Sequence, residues 1–297
     1  MGYVMKYLEK HPMIMIVVGV FGISLSAIFV KFSTAPSAVT AVWRMLWSAA
    51  LMTPFVFGRG EVRRELCSAD KKVIILSAVS GLFLAIHFTL WFESLGHTSV
   101  ASSTTIVCTE VIWVSLGYCL FLKGQLSAKA KITIAITFLG SVIIALADSS
   151  NSKGHLYGDI LALLAAISES VYTLLGRTIR KTTSTTVYTY LVYTSCAAVL
   201  LLLCLYQGNG LLEYGLSAVL VGLLLALFST IMGHTLFSWC LKFLSPSFVS
   251  ASKLCEPVVA AILAGFLFSE YPKLLQVAGS VLILGGVFYY SRLEKGK

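Results

Sequence analysis

Apolar residues run in stretches of about twenty along the whole chain, separated by short polar segments. An α-helix rises 1.5 Å per residue and needs roughly 20 apolar residues to cross the hydrocarbon core of a bilayer. Ten stretches have that length: 12–31, 36–57, 73–95, 99–122, 128–147, 157–177, 186–206, 215–241, 246–268 and 273–291. None shows the apolar/polar alternation of a membrane barrel strand. The connections are short, so neighbouring spans are expected to be antiparallel. The pattern predicts an all-α polytopic membrane protein with ten transmembrane helices.

Sliding the sequence along itself by 146 residues aligns its two halves without a gap. Glu110 meets Glu256, Gly140 meets Gly286, Leu90 and Leu95 meet Leu236 and Leu241, and Lys31 meets Arg177. Each half holds five spans, an odd number, so the second half begins on the opposite side of the membrane. The expected organisation is two inverted five-helix repeats, residues 1–148 and 156–297, joined by an outer linker at 149–155. In secondary transporters built this way the solute site lies near the midplane, at the repeat interface.

Composition supports lipid as the solvent. The chain is 58% hydrophobic and 12% charged, against about 25% charged for a typical soluble domain. The net charge of +9 does not signal nucleic acid, because its basic residues sit in the connections. With the N-terminus inside, 17 Lys and Arg fall in inner segments and 3 (Lys31, Lys153 and Lys273) in outer ones. Positive charge favours the cytoplasmic side, so both termini are expected in the cytoplasm, with the protein in the inner membrane. Six of the seven cysteines lie inside apolar runs without metal-binding spacing, and no disulfide framework, metal or cofactor is expected. No phosphate-binding Gly-Lys-Ser/Thr motif and no hydrolase or metalloprotease motif is present.

The chain resembles the EamA type of the drug/metabolite transporter superfamily over nearly its whole length. The matching features are Gly158-Asp159 before the small-residue run Ala162–Ala166, Glu256-Pro257 in span 9, and the span end Phe266-Leu267-Phe268-Ser269-Glu270. Gly279 and Gly285-Gly286-Val287 in span 10 match as well, as do Arg44 and Gly140 in the first half. One departure is Val111, where the family often has proline, so the kink of span 4 is expected to differ from that of span 9. The resemblance implies ten helices around a central cavity lined by spans 1, 3, 4, 6, 8 and 9. It also implies metabolite movement without ATP.

The ionisable residues at membrane depth are the candidate site. Placing such a group at a helix centre costs on the order of 2.5–3.5 kcal/mol on insertion scales, so it normally faces a cavity or a partner. Glu256 lies near the middle of span 9, and Pro257 removes one backbone donor. Lys253, three residues earlier, falls on the same face of a continuous helix. The pair either recognises a zwitterion or neutralises itself. Glu110, its repeat mate, is either a second cavity carboxylate or a partner for Arg44, with Trp113 on its face. Arg44 itself is expected to be structural, because the resemblance leaves span 2 outside the cavity lining. Glu169 is a proton-carrying carboxylate or a polar packing group. His87 and His234, one residue off the repeat register, are hydrogen-bond donors, proton relays or packing residues. Trp91 and Tyr172, on spans 3 and 6 that the resemblance places at the cavity, are stacking groups for a ring or a cation, or members of an interface belt.

The net acidity of Glu110, Glu169 and Glu256 against Lys253 favours a zwitterionic or cationic solute. The expected protein is a monomeric secondary transporter in lipid, exporting or exchanging an amino acid or amine-bearing metabolite, with protons or a counter-substrate as further partners. A nucleoside or sulfonium metabolite, and a membrane-embedded enzyme using the histidines and glutamates, are the alternatives. The enzyme reading lacks a nucleophile–base pair at fixed spacing.

Overall fold

The computed structural model describes residues 2–98, 100–148, 156–268 and 274–295, and all regular structure among them is helical. The expected linker 149–155 and the Ser269-Glu270 end of span 9 lie outside the described residues. Ten long helical segments follow the apolar runs. They are α1 (Pro12–Ser24 continued by Ser26–Lys31), α2 (Ser37–Phe57), α3 (Lys71–His97) and α4 (Val100–Val107 continued by Glu110–Phe121). Then come α5 (Ala128–Asp148), α6 (Leu156–Ile179), α7 (Thr185–Tyr206), α8 (Gly215–Cys240), α9 (Pro246–Lys253 continued by Glu256–Phe268) and α10 (Leu274–Lys295). Eight of these, all but α5 and α9, contain a segment long and apolar enough to cross a membrane.

Three spans are broken: α1 at Leu25, α4 at Cys108–Thr109, and α9 at Leu254–Cys255, just before the expected kink at Pro257. In α9, Pro257 has no N–H to give the Lys253 carbonyl, and Leu254 and Cys255 instead donate three residues back, to Ala251 and Ser252. In α4, with Val111 in place of proline, the amide of Val111 also reaches only three residues back, to Cys108 at 3.4 Å. Both spans are thus broken at equivalent positions although only α9 has the proline, and their bonding differs in detail, since Cys108 still donates four residues back to Thr104. The half-helices end at Val107 and Lys253 and restart at Glu110 and Glu256, each pair 146 residues apart. In both helices the glutamate opens the second half-helix.

The central part of α8, Leu225–Thr235, is π-helical. Thr230 and Thr235 hydroxyls bond carbonyls five residues back, at Leu225 and Thr230. π-turns inside helices gather at functional sites. They also hold more residues than α-turns, which alters the rotation per residue and lets His234 face inward although it stands one position off the register of His87.

Packing mixes the two halves. α6 lies along α3 and α4, whereas α1 lies along α8 and α9. Each three-helix bundle thus takes one helix from the other half. α1 is brought close to α8 by Gly22, where a Cβ would stand 2.7 Å from the Phe228 carbonyl oxygen. α5 and α10 pack on each other through Gly140 and Gly279. A Cβ on either would stand 2.7–2.8 Å from the other's carbonyl oxygen, the close backbone approach that small residues permit between membrane helices.

Candidate transport site

The cavity lies between the two bundles. Its lining includes Ile23 and Ser26 from α1, Arg44 from α2, His87 and Trp91 from α3, and Val107, Cys108 and Glu110 at the break of α4. Glu169 of α6, Ser229 and His234 of α8, and Ser250, Lys253, Leu254 and Glu256 around the break of α9 complete it. Its volume is about 60 Å³, space for a few waters, since one water takes roughly 10–15 Å³ on this measure.

Lys253 is the electrostatic centre. Its ammonium donates to both oxygens of Glu110 at 3.2 Å and to Glu169 Oε1 at 2.6 Å. Glu110 Oε1 also accepts from the Thr173 hydroxyl at 3.1 Å and the Ser250 hydroxyl at 2.8 Å. The three charged side chains are almost fully buried. Removing one member of such a buried set costs about 3–5 kcal/mol, because the remaining charge is left uncompensated.

The two histidines flank Glu169. His87 Nε2 is 3.9 Å from Glu169 Oε2, and His234 Nδ1 is 3.8 Å from Oε1. The Ala165 carbonyl, 3.1 Å from His87 Nδ1, can only accept, so that nitrogen carries a proton. Trp91 stacks beside His87, with ring centroids 6.0 Å apart.

Two pairings considered from the sequence are corrected. Lys253 does not pair with Glu256: the helix break between them turns the ammonium to Glu110 and Glu169, and no ion pair joins Glu256 to a described cation. Nor does Glu110 pair with Arg44. The Arg44 guanidinium bonds the Thr230 hydroxyl through Nε at 2.9 Å and stacks 4.1 Å from the Phe88 ring centroid. Arg44 nevertheless lines the cavity, so span 2 contributes where the resemblance left it out.

Seven of the nine candidate residues meet at the cavity: Glu110, Glu256, Lys253, Glu169, Trp91, His87 and His234. Tyr172 and Trp113 do not line it. The Tyr172 ring stands 6.0 Å behind His234, with its hydroxyl on Ser238 at 3.0 Å. Trp113 donates to Thr109 within its own helix at 3.3 Å. Sequence reasoning missed Ser26, Ser229 and Ser250, for which a lone serine in an apolar run gives no signal.

Ten buried side-chain polar atoms lack a hydrogen-bond partner among the described residues. Six of them belong to cavity-lining residues: Ser26 Oγ, Arg44 Nη1, Trp91 Nε1, Glu169 Oε2, Ser229 Oγ and His234 Nδ1. Native interiors leave few such groups unpaired, so their concentration here marks a surface built to meet water or a polar solute.

The EamA-like transporter family model matches the chain twice, over residues 11–146 and 156–292. The uncharacterized transporter YxxF of Bacillus subtilis is 25% identical over 279 residues, covering 91% of this chain and 86% of that one. An uncharacterized transporter of Archaeoglobus fulgidus is 28% identical over 207 residues, covering 68% and 72%. A solved crystal structure superposes with a TM-score of 0.80 at 15% identity, covering 96% of this chain and 98% of that one, and supports the fold. With two family matches over nearly the whole chain, a polytopic helical fold and a cavity between its bundles lined by charged side chains, this protein belongs to the EamA-like transporter family.

Proposed function

We propose that the chain is a secondary active transporter, an exporter or exchanger of a small zwitterionic or cationic metabolite such as an amino acid or another amine-bearing solute. It works by alternating access in the inner membrane, with ten spans, halves 1–148 and 156–297 in inverted topology, and both termini cytoplasmic. The observation that carries the substrate class is the division of charge in the cavity. Lys253 is held by Glu110 and Glu169, while Glu256 faces the same cavity without a described cation in ion-pair range. Three carboxylates against Lys253 and Arg44 leave one negative charge in excess when all are ionised. The ammonium of a cationic solute at Glu256 balances it, whereas a zwitterion neutralises Glu256 locally and leaves the net charge unchanged. The carboxylate of a zwitterion then finds Arg44 Nη1 and the Trp91 indole N–H, both buried without a protein partner.

The small volume of the cavity supports the mechanism. Pockets for small metabolites run to about 300–1,000 Å³, so a solute enters only when the two bundles part. Binding energy gained at Glu256 offsets that separation, and the loaded bundles then close toward the other side.

Thermal unfolding of purified protein against amino acids, biogenic amines, nucleosides and phosphate esters tests the substrate class. Amine-bearing solutes should raise the midpoint of wild type and leave that of Glu256→Gln unmoved. Stabilisation by phosphate esters with no response to amines would overturn the assignment.

A further inference from the structure

Lys253 reaches two carboxylates that belong to the opposing bundle. Glu110 belongs to α4 and Glu169 to α6, within the bundle of α3, α4 and α6; Lys253 belongs to α9, in the opposing bundle with α1 and α8. Its ammonium therefore crosses the interface between the two bodies. It sits 2.6–3.2 Å from three carboxylate oxygens, with the Ser250 and Thr173 hydroxyls completing the Glu110 end. Two carboxylates converging in a site of low dielectric repel each other and cannot both stay ionised without a nearby cation. The other charged or titratable groups facing this pair are His87 and His234, both beside Glu169, and Arg44, Cys108 and Glu256 around the cavity. Among the described residues, Lys253 alone forms cationic hydrogen bonds to both Glu110 and Glu169.

We propose that Lys253 is a tethered replacement for a coupling cation. A carrier that binds Na⁺ or a proton between two such carboxylates closes only when the ion is present, which couples solute movement to the ion gradient. Here the cation is covalently attached. The ammonium screens the Glu110–Glu169 pair at every stage of the cycle, so closure needs no free cation. Exchange of one solute for another then needs neither Na⁺ nor a pH difference, and the counter-substrate's gradient supplies the drive. This rests on the transporter reading but not on the identity of the solute.

The test begins without a solute. Lys253→Ala removes an n-propylammonium-sized group and should leave a site that binds that ion. Unfolding midpoints are measured for wild type, Lys253→Ala and Lys253→Arg in n-propylammonium, tetramethylammonium and sodium chloride at equal ionic strength. n-Propylammonium should raise the midpoint of Lys253→Ala by about 2–4 °C over tetramethylammonium, with no preference in wild type or Lys253→Arg. An equal response in all three proteins, or no response in Lys253→Ala, would overturn the proposal.

Wild type supplies a second arm that does not depend on the variant folding. Vesicles holding the protein are loaded with a labelled amino-acid mixture, and efflux into unlabelled amino acids is measured in sodium and in choline buffer, with and without a pH gradient. Unchanged efflux supports the tethered cation; a loss of about tenfold on removing Na⁺ or the gradient contradicts it. If wild type moves no amino acid while Lys253→Ala is stabilised by n-propylammonium, the substrate assignment fails and the cation site stands.

Discussion

Lys253 and Glu256 stand three positions apart, and only the structure separates their duties. The sequence shows which side chains are ionisable and deep, and seven of nine candidates do converge on one cavity. It does not show who holds whom. Helical spacing puts both on one face only in an unbroken helix, and the break at Leu254–Cys255 sends the ammonium across to Glu110 and Glu169. The family resemblance leaves Arg44 outside the cavity, and the structure brings it in where α2 leans on the π-helical part of α8 through Thr230. The same scale carries a test of the aromatic wall. Trp91→Phe keeps a ring beside His87 but removes the unpartnered indole N–H. A lost hydrogen bond to a charged solute group is worth about 1.5–3 kcal/mol. The half-saturating solute concentration should therefore rise about tenfold or more, with little change in unfolding midpoint; an unchanged value would remove Trp91 from the site.

Discontinuous helices place the carboxylates. Glu110 and Glu256 each open a half-helix 146 residues apart in register, one followed by valine and the other by proline. Only the second break was legible, because proline announces itself by its missing donor, whereas the shift of Val111 to an i−3 bond depends on packing around α4. The π-helical turns of α8 carried no signal either, since its apolar run reads like any other. The contact of α5 with α10 is better marked by its glycines. Gly140→Ala and Gly279→Ala each push a methyl against the facing carbonyl oxygen, and overpacking of this kind costs about 1–3 kcal/mol. Because both substitutions strain one contact, the double variant should lose less stability than the two losses added. Full additivity in urea or thermal unfolding would show that the contact is not shared.

At the scale of the whole molecule, the all-helical membrane fold and its internal repeat were readable before any coordinates, because lipid demands long apolar runs and duplication preserves their spacing. The exchange of α1 and α6 between the bundles was not readable, since periodicity along a chain does not say which helices touch. The proposed topology puts Lys72 and Lys242, both exposed, on the cytoplasmic side and the exposed His97 and Glu213 outside. In a Cys67→Ser background, cysteines at the first two positions should react with an impermeant maleimide in inside-out vesicles, and at the last two in right-side-out vesicles. Reaction of all four from one side would break the inverted arrangement. The central claim, a carrier whose open carboxylate receives a solute amine, is tested most directly by counterflow. Proteoliposomes loaded with an unlabelled amino-acid mixture are diluted into trace labelled amino acids. Wild type should accumulate label transiently and Glu256→Gln should do so about tenfold or more slowly; equal accumulation by both, or wild-type counterflow of nucleosides or phosphate esters but not of amino acids or amines, would contradict it.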